Sequence, residues 1–151
     1  MGTKASAHAG PSAFFTADHR ECDALWAELE GICGDGKADA VESAWMRFDR
    51  AMRRHFAMEE EVLFPALEEA TGMPRGAGPI AVMRMEHDQM KGMLGQMADA
   101  RGDGRELLDL GDTLLMLIQQ HNTKEEGILY PMADDALAAG WSELATQLDR
   151  Y

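Results

Sequence analysis

Residues 55–65 read HFAMEEEVLFP, and a similar segment, HNTKEEGILYP, follows 66 residues later at 121–131. Each segment begins with histidine and carries a glutamate four positions further on. A shorter match pairs Asp18-His19 with Glu86-His87. This internal repeat predicts two similar helical hairpins, related by a pseudo-twofold axis, whose half-sites face each other.

Four long segments have the composition of helices. They are separated by breaks rich in glycine or proline, at residues 31–36, 71–79 and 101–104. Ala, Leu, Met, Glu and Arg are abundant in them, and no alternation of period two indicates a strand. Because short links make neighbouring helices antiparallel, the sequence predicts an all-α, up-down-up-down four-helix bundle. We expect a flexible tail at 1–11, one bundle domain at 12–151 and a short C-terminal helix at 141–148.

Each long segment carries a stripe of residues spaced three and four apart, the pattern of a helix seam in a bundle. The stripes are Phe15, His19, Cys22, Trp26, Leu29; Val41, Trp45, Phe48, Met52, His55, Glu59, Val62; Ile80, Met83, His87, Met90, Leu94, Met97; and Leu107, Leu110, Leu114, Leu117, His121, Glu125, Ile128. Each stripe is apolar except for one histidine, and in the second and fourth a glutamate follows it four residues later.

The polar members of the stripes are the candidate site. Residues four apart on a helix project from nearly the same face, so each His–Glu pair points inward together. Unpaired charge in a core is strongly unfavourable, so a metal ion is expected to compensate it. The candidate ligands are His19, His55, Glu59, His87, His121 and Glu125.

The donor types narrow the choice of metal. Imidazole and carboxylate without thiolate suit iron, manganese or zinc, and a mixed dinuclear core inside a bundle favours iron. A closed structural zinc site would normally use cysteines and four ligands. Two octahedral ions need twelve bonds, of which the histidines supply four, two bridging glutamates four, and an oxo or hydroxo bridge two. One position on each ion then stays open for water, dioxygen, peroxide or nitric oxide.

Charge and composition exclude several other classes. The formal net charge is −13, which argues against nucleic acid and anionic membranes as partners. The longest apolar run, residues 114–118, is far too short to span a membrane. Two cysteines give no disulfide framework, and the chain opens without a signal-peptide pattern. We therefore expect a cytoplasmic protein.

Together these motifs resemble the hemerythrin-like, or HHE, cation-binding domains, from Asp18-His19 through Tyr130-Pro131. The resemblance implies a four-helix bundle holding a non-haem di-iron centre, two iron ions with an oxo or hydroxo bridge. By that resemblance one histidine comes from each helix and a bridging glutamate from the second and fourth helices. The implied ligands are His19, His55 with Glu59, His87, and His121 with Glu125.

The chain departs from the oxygen-carrying hemerythrins at two places. Those proteins have a second histidine four residues after the third-helix ligand, where this chain has Lys91. They also use a fourth-helix aspartate five residues after the histidine, whereas here Glu125 stands four after His121. The more even set of four histidines is similar to iron–sulfur-repair and iron-responsive HHE proteins, and it argues against simple reversible oxygen carriage.

Two function classes stay open. In the first, a di-iron protein binds or senses a small diatomic ligand, dioxygen or nitric oxide, or iron itself. In the second, a di-iron enzyme or repair factor turns over peroxide or nitric oxide, or donates iron to damaged iron–sulfur clusters. No nucleophile elbow, phosphate loop or dinucleotide motif points to another activity. A metal-free interaction module would not explain six inward polar residues.

The remaining polar residues receive ordinary interpretations. We expect His8 to be solvated in the tail, Cys22 to fill the core, and Lys91 to extend toward water. A set of glutamates outside the stripes is expected to form a solvated acidic face: Glu60, Glu61, Glu68, Glu69 and Glu126.

Overall fold

The protein is built from helices joined by short links. The computed structural model describes residues 3–35 and 37–151, and this part of the chain contains no strand. The helices are α1 (Pro11–Asp35), α2 (Ala38–Met58), α3 (Phe64–Thr71), α4 (Gly78–Ala100), α5 (Gly104–Lys124), α6 (Tyr130–Ala136) and α7 (Trp141–Leu148). α1 packs along α2 and α4 along α5, which confirms the predicted all-α bundle and its short C-terminal helix. No helix in the described ranges is both long enough and apolar enough to cross a bilayer.

Two wide turns interrupt the second and fourth helices of the bundle without ending them. A π-helical turn at Glu59–Leu63 joins α2 to α3, and another at Glu125–Leu129 joins α5 to α6. The first closes when the Phe64 N–H bonds to a carbonyl five residues back. Proline follows each turn at Pro65 and Pro131. Because proline has no N–H and crowds the carbonyl four residues back, the wider turn lets the helix continue through it.

The predicted stripes form the core, with one clear error. Every stripe residue of the first three helices is buried, whereas Leu110 and Leu117 of the fourth are half-buried. Ile128 is 59% exposed, so the prediction that it lies on the inward stripe is wrong. The π-helical turn adds a residue at this point, and Leu129 takes the buried position instead.

The first helix is also longer than the sequence suggested. The glycines at 31 and 34 predicted a break at 31–36, but α1 continues to Asp35. Gly36 itself lies outside the described residues. Both glycines are on the solvent side with nothing near their missing Cβ atoms, so they weaken the helix without breaking it.

The described part of the predicted tail contacts the bundle. Ala5–Ala7 forms a 3-10 turn, in which Ala5 is buried. The Trp141 indole N–H donates to the carbonyl of His8 at 2.9 Å. The His8 ring is half-buried and packs edge-on against Phe14, rather than standing in solvent. The division of the chain at residue 11 stays a prediction.

Two apolar clusters position the site between them. One joins α3, α6 and α7 to the start of α1 and includes Phe14, Phe64 and Trp141. The other fills the opposite end of the bundle and includes Trp26 and Leu114. The polar members of the stripes lie at the level where these clusters meet.

Candidate metal centre

The six predicted ligands lie together at one level of the bundle. Their exposure is between 0% and 3%. Glu59, His87, His121 and Glu125 form one group of ligand atoms within 4.8 Å of one another, and His19 and His55 form a second group with Glu125. Each hairpin thus contributes one pair of histidines, and a glutamate is common to both groups. This arrangement fits two neighbouring metal ions, although metal binding by these residues stays a prediction.

Each histidine is held at Nδ1 by a carboxylate that lies outside the six. An ionised carboxylate only accepts hydrogen bonds, so each ring donates through Nδ1, and a neutral ring then leaves its Nε2 free to bind a metal ion. Such carboxylate–histidine pairs orient imidazoles in metal sites and make them stronger ligands. The pairs are Asp18 with His55 (2.8 Å), Glu126 with His19 (2.8 Å), Glu60 with His87 (2.9 Å) and Glu86 with His121 (2.9 Å).

These outer carboxylates follow the internal repeat. Asp18 and Glu86, which directly precede the histidines of α1 and α4, hold the histidine of the next helix in the same hairpin. Glu60 and Glu126, which directly follow the candidate bridging glutamates, reach across to the other hairpin. The four bonds therefore tie all four helices of the bundle together at the level of the site.

The prediction that Glu60 and Glu126 belong to a solvated face is wrong. Each side chain is 25% exposed and is directed at a histidine. Lys91 also turns inward, with Nζ 2.9 Å and 2.8 Å from the two oxygens of Glu60. Burial alone would raise the pKa of Glu60, but hydrogen bonds from His87 and Lys91 lower it to about 2.

A cation pairs with every outer carboxylate. This pairing balances the charge that the carboxylates bring toward the core. Unlike the carboxylates, the cations do not follow the repeat. Arginines bind the carboxylates that hold the histidines of α1 and α2, whereas lysines bind the carboxylates that hold the histidines of α4 and α5. The pairs are Arg54 with Asp18, Arg20 with Glu126, Lys91 with Glu60, and Lys124 with Glu86.

Several atoms of the six lack the partners that buried polar atoms normally have. His55 Nε2, Glu59 Oε1 and Glu125 Oε2 are buried without a hydrogen bond among the described residues. His55 Nε2 lies 2.9 Å from Glu59 Oε1, but in a geometry unsuited to hydrogen bonding. The Nε2 atoms of His87 and His121 face each other at 3.2 Å, so either a proton or a metal ion has to lie between them. Metal ions would satisfy all of these atoms, so the residues present fit a dinuclear site.

When no metal is bound, protons supply part of the compensation. Burial lowers the pKa of His19 to about 4. Burial also disfavours charge on His87, but hydrogen bonds with Glu59 and Glu60 outweigh it and raise its pKa to about 9. Burial also disfavours charge on His55, but the negative charge of Glu59 outweighs this effect and raises the pKa of His55 well above the usual value. A metal ion that binds at neutral pH therefore displaces protons.

The site geometry agrees with a comparison against protein families. A family model described as the hemerythrin HHE cation binding domain matches residues 10–133. The chain belongs to this family. The matched range contains all six candidate ligands and all four outer carboxylates of this HHE domain. Neither the curated proteins nor the solved structures gave a match.

One further residue of the HHE domain reaches the site and escaped sequence analysis. The buried Tyr130 hydroxyl lies 2.9 Å from Glu59 Oε2, 3.0 Å from Glu125 Oε1 and 3.1 Å from His19 Nε2. In an ordinary α-helix a residue five after Glu125 would point about 140° away from it. The π-helical turn removes much of that difference. The one feature of the sequence that could have drawn attention to Tyr130 was the repeat, in which an aromatic residue, Phe64, stands at the equivalent position.

The chemistry of Tyr130 is that of a neutral donor. Burial, together with the charges of Glu125 and Glu59, raises the pKa of its phenol well above the usual value. Phe64, its counterpart, packs on His87 with ring centres 5.5 Å apart, as Tyr130 packs on His19 at the same separation, but Phe64 has no hydroxyl group. Among the side chains that reach the candidate ligands from these two positions, the half-sites therefore differ in one hydroxyl group.

Cys22 lies on the buried seam beside the site. Its side chain is 6% exposed, and burial raises the pKa of the thiol to about 12. A thiol of this kind stays neutral and unreactive at neutral pH. The geometry is that of the core residue expected from the sequence.

Proposed function

We propose that this HHE domain is a non-haem di-iron protein that binds a small diatomic ligand, dioxygen or nitric oxide. The observation that carries the proposal is that the candidate ligand atoms are buried and that several of them lack a hydrogen-bond partner among the described residues. Four outer carboxylates, each paired with a cation, surround these atoms. His19 and His55 would hold one iron, and His87 and His121 the other. Glu59 and Glu125 would lie between the two ions.

The protein's own groups would prepare the site for such a ligand. Bound iron supplies an open coordination position and a change of oxidation state. The outer carboxylates fix the imidazole orientations before metal arrives, which reduces the reorganisation on binding. Phe15 packs on His55 at 5.8 Å and Phe56 on His87 at 4.4 Å, so apolar rings limit the access of water.

Burial supports a diatomic ligand over an organic substrate. Because all six ligands are at most 3% exposed, a larger molecule would need the helices to separate before it reached the iron. The same burial argues against easy donation of iron to another protein.

Turnover of peroxide or nitric oxide is the alternative function, and one observation favours it. Tyr130 places a neutral phenol among the ligand atoms, where it can supply a proton that simple ligand binding does not require. Whether this HHE domain is an enzyme therefore depends on whether the bound ligand is released unchanged.

Anaerobic reconstitution with ferrous iron tests the proposal. We expect two iron ions per chain by metal analysis and a nitric-oxide adduct by visible spectroscopy. We expect dioxygen to oxidise both ions to the ferric, oxo- or hydroxo-bridged form without a long-lived coloured adduct, because Lys91 replaces the fifth histidine of the oxygen carriers. One ion or none would contradict the di-iron proposal. A visible band that lasts many minutes and disappears when oxygen is removed would restore reversible oxygen carriage.

The proposed setting is the cytoplasm, without nucleic-acid or membrane partners. Cys22 and Cys33 are both free thiols, as a reducing compartment would keep them. The net charge of −13 would repel nucleic acid and anionic lipid. Fractionation of the native cells, with the protein followed by antibody, tests the location.

A further inference from the structure

A groove on the outside of the bundle lies between α1 and α2. Its volume is about 830 Å³, within the range of small-molecule sites. Apolar atoms of Leu25, Met46 and Ala51 contribute to its lining. Lys4 and Tyr151, from the two ends of the chain, line it as well. The groove thus combines an apolar surface with charged borders.

A row of arginines lines the α2 side of the groove. Arg47, Arg50 and Arg54 are spaced three and four apart and so share one helix face. Arg47 pairs with Glu28, and Arg54 binds Asp18 at 3.1 Å. In the described part of the chain Arg50 makes no ion pair. It is therefore a cation at the groove whose charge is available to a ligand.

Five acidic residues also border the groove; three of them are engaged, whereas Glu21 and Asp39 make no ion pair within the described ranges. Asp18 accepts hydrogen bonds from His55 and Arg54. Glu42 pairs with Arg101 at 3.0 Å. Asp149 accepts from the backbone N–H of Ser6. These bonds reduce the repulsion that an anionic ligand beside Arg50 would meet.

We propose that this groove binds a small amphipathic carboxylate. Its carboxylate would pair with Arg50 and Arg54, and its alkyl chain would cover Met46 and Leu25. From Ser43 to Arg54 the α2 wall extends about 16 Å, which accommodates a medium-length alkyl chain. An inorganic anion would leave the apolar surface exposed.

The groove is connected to the candidate metal centre through Arg54. Asp18 accepts from Arg54 through Oδ1 and from His55 Nδ1 through Oδ2, at 3.1 Å and 2.8 Å. A ligand carboxylate at Arg54 competes with Asp18 and so changes how Asp18 holds His55. This connection to the metal rests on the proposed function, whereas binding in the groove does not.

Titration calorimetry of the full chain with dodecanoate, with and without iron, tests the proposal. We expect one molecule to bind per chain in both forms. Arg50→Gln is expected to weaken binding about tenfold through loss of a charge-assisted bond. Arg53→Gln is the matched control, because Arg53 lies on the same helix but pairs with Asp49 at 2.9 Å and does not line the groove. Thermal unfolding checks that both variants are folded.

The outcomes separate the ligand classes. Equal binding of dodecyltrimethylammonium, equal weakening by both substitutions, or no binding at all would overturn the proposal. A concentration-dependent dimer that Met46→Glu dissociates, without dodecanoate binding, would assign the groove to a second copy of the chain. In the iron-free protein dodecanoate is expected to shift the Nδ1–H resonance of His55, and an unchanged resonance would overturn the connection to the site. Because these measurements do not need iron, failure of the di-iron proposal leaves them interpretable.

Discussion

The Tyr130 hydroxyl donates a hydrogen bond of 2.9 Å to Oε2 of Glu59, across 71 residues of sequence. The two residues belong to opposite halves of the internal repeat, so the bond connects the two half-sites. The residue equivalent to Tyr130 is Phe64, which has no hydroxyl to offer. This bond is therefore one point at which the two half-sites depart from the pseudo-twofold relation.

Replacing Tyr130 with phenylalanine tests the importance of this bond. When no metal is bound, Tyr130→Phe removes the single O–H group that donates to Glu59 Oε2 and that also lies beside Glu125 Oε1, and we expect a loss of about 1–3 kcal/mol in the free energy of unfolding. Iron would take over those oxygens, so the loaded variant should lose less. Urea unfolding of both forms measures the difference.

Tyr151→Phe is the matched control. Tyr151 is 43% exposed and donates to the exposed Glu61, so its loss should change the unfolding free energy by no more than about 0.5 kcal/mol. Equal losses in the two variants would show that the Tyr130 bond has no special role.

The helices and the inward position of the six candidate ligands were predictable because both depend on residue spacing within one helix. The period of three and four places His55 above Glu59, and His121 above Glu125, without knowledge of any other helix. The structure buries all four of these side chains. Short links between the helices then leave few ways to assemble the bundle.

The contacts of the outer carboxylates with the histidines were not predictable from spacing. Glu60 and Glu126 are turned about 100° from the inward glutamates, a position that indicates solvent when one helix is considered alone. Their partners, His87 and His19, lie on the other hairpin, and no pattern within one helix reports that approach. Tyr130 was missed for a related reason, since the π-helical turn changes the register locally.

Glu60→Gln tests whether the outer carboxylates contribute to metal binding. The amide keeps the shape but removes the charge that His87 and Lys91 bind, so we expect the affinity for ferrous iron to fall roughly 10–100-fold. Glu59→Gln removes a candidate ligand and should lower metal occupancy further. Competition with a chelator of known affinity measures both losses.

Glu69→Gln serves as the control for this comparison. Glu69 is exposed, and its replacement should leave the affinity for iron unchanged. If Glu60→Gln and Glu69→Gln gave the same affinity, Glu60 would be the solvated residue that its position in the sequence suggested.

Metal binding should depend on pH, with higher affinity at higher pH. Near neutrality His55 and His87 hold protons when no metal is bound, because Glu59 and its neighbours raise their pKa values against the effect of burial, to about 9 for His87. Metal must displace these protons. Calorimetric titration in buffers of different ionisation enthalpy should show proton release at pH 7 that declines above pH 9. Absence of release at pH 7 would contradict the protonation of His87.

The iron-free protein should lose stability over the same interval. A histidine whose pKa is raised on folding stabilises the fold below its unfolded pKa, and this contribution is lost as pH rises toward the folded value. For His87 the interval runs from the ordinary value of 6.5 to about 9. Urea unfolding at several pH values should show this decline in the iron-free form and a smaller one after iron is bound.

The packing that holds α1 against α5 can be tested at one glycine. A Cβ atom on Gly111 would lie 1.9 Å from Cη2 of Trp26, a rigid indole ring that is 5% exposed. Gly111→Ala must therefore separate the two helices, and we expect a loss of about 1–3 kcal/mol or more. Because His19 lies on α1 and His121 on α5, the affinity for iron should fall as well.

Gly92→Ala provides the opposite expectation within the same bundle. Gly92 lies on the exposed side of α4 with nothing within 4 Å of the added Cβ atom. Alanine there restricts the unfolded chain and favours the helix, so we expect a gain of about 0.4–1 kcal/mol and unchanged iron binding. Thermal unfolding and iron titration of both variants measure the contrast. If Gly111→Ala were as stable as Gly92→Ala, the close approach of Trp26 to α5 would not be what positions these helices around the site.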